Sequence, residues 1–269
     1  MSQRIQRCFQ AAKNNGRKVL IPFITSGDPD PGWTVAIMHA MADAGADLIE
    51  LGVPFSDPMA DGPVIQLASE RAIEKGVTLK GVLDMVRTFR QSDTSTPVVL
   101  MGYMNPVERY GRTILPADAK AAGVDGLLLV DCPPHERGDM QAAMTGAGLA
   151  GICLVAPTTV RERVKELCNV ASGFIYYVSL KGITGAGLAG PAGIAEPISQ
   201  IREFSNLPVA VGFGIKNAEM AVNAAKHADA VVIGSALVEA LAEAKTREDA
   251  CSVATAFVAP VRESLDNMA

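Results

Sequence analysis

Eight short apolar runs, each followed by a turn signal and then a longer Ala-rich stretch with helical spacing, constrain this chain more than any other feature. They are VLIPFIT from Val19, LIELG from Leu48, PVVLMG from Pro97, GLLLV from Gly126, GICLV from Gly151, FIYYV from Phe174, PVAVG from Pro208 and AVVIG from Ala230. Runs that are apolar throughout, rather than alternating with polar residues, form strands covered on both faces, as in a parallel sheet flanked by its crossover helices. Eight such units in 269 residues fit a closed (β/α)8 TIM barrel, with an extra N-terminal helix over about residues 3–14. Length alone also allows two domains, but no linker or break in composition divides the chain, so a single barrel domain over 1–269 is expected.

Two intervals between successive runs, from Leu48 to Pro97 and from Phe174 to Pro208, are longer than the rest. The excess lies in 54–78 and in 179–191, predicting extended loops after strands 2 and 6. Loops that follow strands line the C-terminal face of a barrel, where active sites are built. Both are expected to belong to a site and to act as lids, the alternative being insertions tolerated because loop closure entropy rises slowly with length.

The first of these loops grows out of a strand with an unusual occupant. In 48–66, LIELGVPFSDPMADGPVIQ, alternation sets Leu48, Glu50 and Gly52 on one face and Ile49, Leu51 and Val53 on the other, so Glu50 points where apolar surfaces normally meet. None of the eight runs contains a lysine or arginine to pair with it. Desolvation at an apolar barrel mouth raises a carboxyl pKa and makes Glu50 a proton donor near neutral pH. Asp61, on a polar loop beside Gly62, is expected to stay ionised, so the two carboxylates divide acid and base roles. For Asp61 the alternative is a plain Asp-Gly turn.

Runs 7 and 8 end in Gly212-Phe213-Gly214 and Ile233-Gly234-Ser235, and Ser235 is placed to cap a helix over 236–244. Glycines admit backbone N–H groups close to an anion, and a helix N-terminus adds free donors. Two such turns on adjacent strands, with 182–187 of the sixth loop nearby, predict a phosphate site. A dinucleotide fold is disfavoured because no run is followed by GxGxxG with an acidic residue about 20 positions on. Phe23, Tyr103, Tyr176 and Phe213 near run ends, with Met101 and Leu128, are each ordinary barrel filling taken singly, but their shared placement favours a pocket for a flat aromatic ring, and Ile65 is expected among its substrate-binding residues.

Composition removes several classes. The 29 acidic against 24 basic residues give a net charge of -5 without a basic block, which argues against nucleic acid. Five scattered cysteines without CxxC spacing read as reduced thiols in a cytoplasmic protein, and no run approaches the length of a membrane span. His39, His135 and His227 have no partner at metal-ligand spacing, and Cys132, ahead of Pro133-Pro134, has no obvious base. A Schiff-base aldolase needs a strand-borne lysine, and the runs supply none.

With Glu50, the loop PFSDPMADGP from Pro54, the stretch SLKGITGAG from Ser179 and the GFG and IGS turns, the chain closely resembles the tryptophan synthase alpha subunit family from end to end. LIELGVPFSDPMADGPVIQ is the most specific segment; VLIPFITSGDP and GYMNP support it. The resemblance implies cleavage of indole-3-glycerol phosphate to indole and glyceraldehyde 3-phosphate, with Glu50 as the general acid and Asp61 engaging the indole N–H. It further implies Tyr176 near that pair, Thr184 positioning the loop aspartate, and Gly185, Gly214, Gly234 and Ser235 as phosphate ligands. No cofactor is implied in this subunit. A pyridoxal-phosphate beta subunit is implied as partner in an alpha2beta2 complex, contacted through Pro54 and Asp57. Leu180 stands where some relatives carry arginine. A second reading makes the chain chiefly an allosteric binding subunit.

Overall fold

A computed structural model describes residues 2–178, 191–212 and 214–268. Eight parallel strands close into a barrel in chain order: β1 Val19–Thr25, β2 Ile49–Gly52, β3 Val98–Gly102, β4 Gly126–Leu129, β5 Ala150–Val155, β6 Ile175–Val178, β7 Val209–Gly212 and β8 Ala230–Ile233. Each coincides with one of the apolar runs. The helices are α1 Gln3–Asn14, α2 Thr34–Asp43, α3 Pro63–Glu74, α4 Leu79–Phe89, α5 Met104–Tyr110, α6 Leu115–Ala122, α7 Asp139–Ala147, α8 Arg161–Val170, α9 Pro191–Phe204, α10 Ala218–Ala225, α11 Ser235–Ala242 and α12 Arg247–Asp266.

Strand alternation sorts the apolar residues into two cores. Val19, Ile21 and Phe23 of β1, Val99 and Met101 of β3, Ile152 of β5 and Val232 of β8 fill the interior. Their neighbours Leu20, Ile24, Ile49, Leu51, Val98 and Leu100 belong to the outer core shared with the helices. Ile5, Phe9 and Ala12 make one buried face of α1, and that face joins the interior cluster. Phe9 meets Phe174, just before β6, with ring centroids 5.6 Å apart. The amphipathic pattern of the first residues thus becomes a plug across the N-terminal end of the barrel.

At that same end, four even-numbered strands are braced alike. Asp47 donates its backbone N–H to the Leu20 carbonyl and accepts the Leu20 N–H on its carboxylate. Asp125 does the same with Val98, Asp229 with Val209, and Ser172 with Gly151 through its hydroxyl. Three of the braces carry arginines: Arg262 on Asp47 at 2.8 Å, Arg90 on Asp125 at 2.9 Å and Arg202 on Asp229 at 3.2 Å. Asp125 is fully buried, so its pairing with Arg90, Arg4 and Ser2 offsets the desolvation of its charge.

The excess after β2 resolves differently from a single long loop. The chain turns through 53–62 and then forms an additional helix, α3, with Pro63 at its first turn, before the crossover helix α4. Turn residues concentrated in 54–63 mask this helix in the sequence. The segment after β6, 179–190, lies outside the described residues.

Candidate active site

Glu50 sits in the middle of β2, beside Phe23 of β1 and Val99 of β3, with its side chain directed into the barrel. It is 3% exposed, makes no ion pair among the described residues, and its Oε1 has no hydrogen-bond partner. Burial, reinforced by the charge of Asp61, pushes its carboxyl up to about 8. At neutral pH Glu50 is therefore predominantly protonated, an acid held in an apolar chamber.

Asp61 is presented from above by the loop after β2. Its N–H donates to the Pro58 carbonyl at 3.0 Å, and its carbonyl accepts from Gln66 Nε2 at 2.8 Å, so the turn is fixed at both sides. Tyr103, at the end of β3, donates its hydroxyl to Asp61 Oδ2 at 2.9 Å and accepts the Ala60 N–H at 3.1 Å. The Phe55 ring, 5.2 Å from that of Tyr103, backs the contact. Asp61 Oδ1 is buried without a partner. Asp61 is thus not the solvated loop aspartate that its sequence context predicts. Burial lifts the Asp61 carboxyl to about 6 even though the Tyr103 hydroxyl pulls it down, so it is ionised at neutral pH by a narrow margin.

Around the two carboxylates, Phe23, Ile65, Met101, Leu128 and Tyr176 gather in one interior cluster with Ile152. Two glycines shape it. A Cβ at Gly52 would come 2.6 Å from Phe23 Cζ, and one at Gly234 would come 3.3 Å from Phe23 Cδ1, so the ring lies across β1 from the end of β8 to the end of β2. A Cβ at Gly212 would collide with the Tyr176 hydroxyl, so the bare backbone of β7 is what lets that phenol lie where it does. Burial, then the nearby charges of Glu50 and Asp61, hold the Tyr176 hydroxyl well above its ordinary pKa, keeping it a donor.

On the far side of the mouth, Gly214 adopts φ +80° after β7, and Gly234 is the N-cap of α11. Ser235 is the first residue of that helix rather than its cap. The exposed Ser235 nonetheless stands where the first helical N–H groups lack intrahelical partners. The expected Thr184, Gly185 and Phe213, like Leu180, lie outside the described residues.

A family model described as "Tryptophan synthase alpha chain" matches residues 9–266. The chain belongs to the tryptophan synthase alpha chain family. A tryptophan synthase alpha chain of Azoarcus sp. is 55% identical over 265 residues, covering 98% of this chain and 97% of that one. One from Burkholderia pseudomallei is 56% identical over 266 residues, covering 99% and 98%. The crystal structure of tryptophan synthase subunit alpha from Legionella pneumophila superposes with a TM-score of 0.90 at 42% identity, covering 99% of both chains.

Within this member of the tryptophan synthase alpha chain family, Pro54 is buried and Asp57 exposed, so the two residues expected at a partner interface sit at different depths in one loop. Met59 beside them is 78% exposed. A cleft of about 510 Å³ lined by Arg4, Lys120 and Thr145 opens at the opposite, N-terminal end, away from both carboxylates. Among the described residues no His, Cys, Asp and Glu group is arranged to hold a metal, and no helix is long and apolar enough to cross a membrane.

Two features of the site have no local sequence signal. The Tyr103–Asp61 bond joins residues 42 positions apart. Thr25, at the end of β1, is 2% exposed with an unpartnered hydroxyl, yet a threonine in a strand is ordinary.

Proposed function

We propose that the chain is the alpha subunit of tryptophan synthase, a carbon-carbon lyase that cleaves indole-3-glycerol phosphate to indole and glyceraldehyde 3-phosphate in tryptophan biosynthesis. The observation that carries the residue roles is the pairing of Glu50, raised to about 8, with Asp61, raised only to about 6, over one apolar chamber. At neutral pH one is an acid and the other a carboxylate, the division that this retro-aldol reaction needs.

The chemistry balances on these two groups. Glu50 gives its proton to the ring carbon that bears the side chain, creating an iminium whose N–H is held by ionised Asp61. The resulting Glu50 carboxylate accepts the proton of the hydroxyl on the adjacent carbon. That carbon becomes the aldehyde as the C–C bond breaks, and the bonding pair returns to the ring to give indole. Phe23, Ile65, Met101, Leu128 and Tyr176 enclose the ring, with Phe213 assigned to the same lining. Gly214, Gly234 and Ser235, with Gly185 from the sixth loop, anchor the phosphate, and Thr184 steadies Asp61.

The subunit uses no cofactor of its own. Its partner is a beta subunit carrying pyridoxal phosphate, bound through Pro54 and Asp57 in an alpha2beta2 assembly in the cytoplasm. The carbon-carbon lyase assignment is tested by indole release from indole-3-glycerol phosphate with wild type and Glu50→Gln. Loss of indole in the variant with phosphate-ligand binding intact is expected, and retained activity removes Glu50 as the acid. Co-elution with the beta subunit, and stimulation of indole release by it, test the partner; neither occurring removes that claim and the allosteric reading with it.

A further inference from the structure

Among the described residues, three buried side-chain oxygens lack any hydrogen-bond partner: Thr25 Oγ1, Glu50 Oε1 and Asp61 Oδ1. The reaction above employs the second and third and leaves the first without a task. A buried hydroxyl left unpaired costs about 1–3 kcal/mol, so its presence at this position calls for a partner that arrives from outside the fold.

The strand order fixes where Thr25 stands. Along β1, Phe23 belongs to the interior cluster and Ile24 to the outer one, which returns Thr25 to the interior face, one step nearer the mouth than Phe23. In register, Phe23 lies beside Glu50 and Thr25 beside Gly52, and β1 separates β8 from β2 around the barrel. The phosphate anchor is at the ends of β7 and β8, and the acid and ring carboxylate belong to β2 and its loop. A substrate stretched between them carries its glycerol chain over the end of β1. The Phe23 ring, lying between Gly234 and Gly52, forms the floor of that path.

We infer that the Thr25 hydroxyl is a substrate-binding group: it bonds the secondary hydroxyl of the glycerol chain that lies between the reacting carbon and the phosphate-bearing carbon. This rests on the lyase reading. Thr25 thereby recognises the one part of the substrate that neither the apolar chamber nor the phosphate anchor can distinguish from a plain alkyl chain.

The test compares wild type with Thr25→Val, which keeps the shape and removes the hydroxyl, and Thr25→Ser, which restores it. Two readouts are taken: kcat/KM for indole-3-glycerol phosphate, and the affinity of indole-3-propanol phosphate, which has ring and phosphate but no secondary hydroxyl. Thr25→Val is expected to lower kcat/KM about tenfold, the effect of one hydrogen bond worth about 1.4 kcal/mol. Thr25→Ser should recover most of it, and both variants should bind the propanol analogue as wild type does, which also certifies their fold. Equal loss toward both compounds, or unchanged kcat/KM in Thr25→Val while wild type cleaves the substrate, overturns the inference alone. Failure of wild type to cleave the substrate removes the lyase reading and this inference together.

Discussion

Tyr103 holds Asp61 by a 2.9 Å hydrogen bond while its oxygen also accepts the N–H of Ala60, so one phenol fixes both the carboxylate and the backbone that carries it. Tyr103→Phe deletes both bonds and leaves apolar packing in place. Because the hydroxyl lowers the Asp61 pKa, its loss should move that pKa upward from about 6. The acid limb of the kcat/KM profile should shift to higher pH, with activity at pH 7 reduced several-fold; an unshifted limb would detach Tyr103 from Asp61.

The pH profile of the wild type follows from the pair. In the proposed roles Asp61 acts ionised and Glu50 protonated, so kcat/KM should rise through about pH 6 and fall through about pH 8. The two limbs belong to the coupled pair. In Glu50→Gln the alkaline limb should vanish with the activity, which isothermal binding of a substrate analogue can separate from loss of binding.

Stability carries the same signature with the opposite sign from a paired carboxylate. The folded pKa of Glu50, about 8, lies above its unfolded value of 4.5, so the folded state binds the proton more tightly. The native state is therefore unpenalised below pH 4.5, loses stability as pH rises from there to about 8, and bears the full cost above it. Glu50→Gln should be more stable than wild type by a few kcal/mol at pH 8.5 and nearly equal at pH 4.5, measured by urea unfolding at both. Equal differences at the two pH values would contradict the burial of an ionisable acid.

At the other end of the barrel the expectation reverses. Asp125→Ala removes a fully buried carboxylate, its bond to the Val98 N–H and the partner of Arg90 and Arg4. A loss of about 3–5 kcal/mol is expected, with kcat and KM of the remaining folded protein unchanged. A selective fall in kcat instead would show that the brace reaches the site.

The barrel was legible because parallel strands must be apolar on both faces, and each apolar run became a strand. Glu50 was legible for the same reason: a carboxylate inside such a run has no solvent to face. Other features depend on distance in sequence rather than pattern. Nothing in GYMNP says that Tyr103 will bond Asp61, and nothing in 54–63 reveals that Pro63 opens a helix, because proline serves turns and helix starts equally. Asp61 read as solvated since Tyr103, whose hydroxyl bonds it, reaches it only through the tertiary fold. Ser235 read as a cap because serine is a favoured N-cap, whereas the helix begins one residue earlier than that, with Gly234 as its N-cap.

The helix that plugs the barrel base also decides traffic. With Ile5, Phe9 and Ala12 seated in the interior and Phe9 against Phe174, the chamber is blind at one end. Substrate and both products must pass through the same rim, between the Asp61 loop and the turns at Gly214 and Gly234. Whatever covers that rim controls arrival and departure at once, so a cover that keeps indole from escaping into solvent also sets the pace at which the next substrate is admitted.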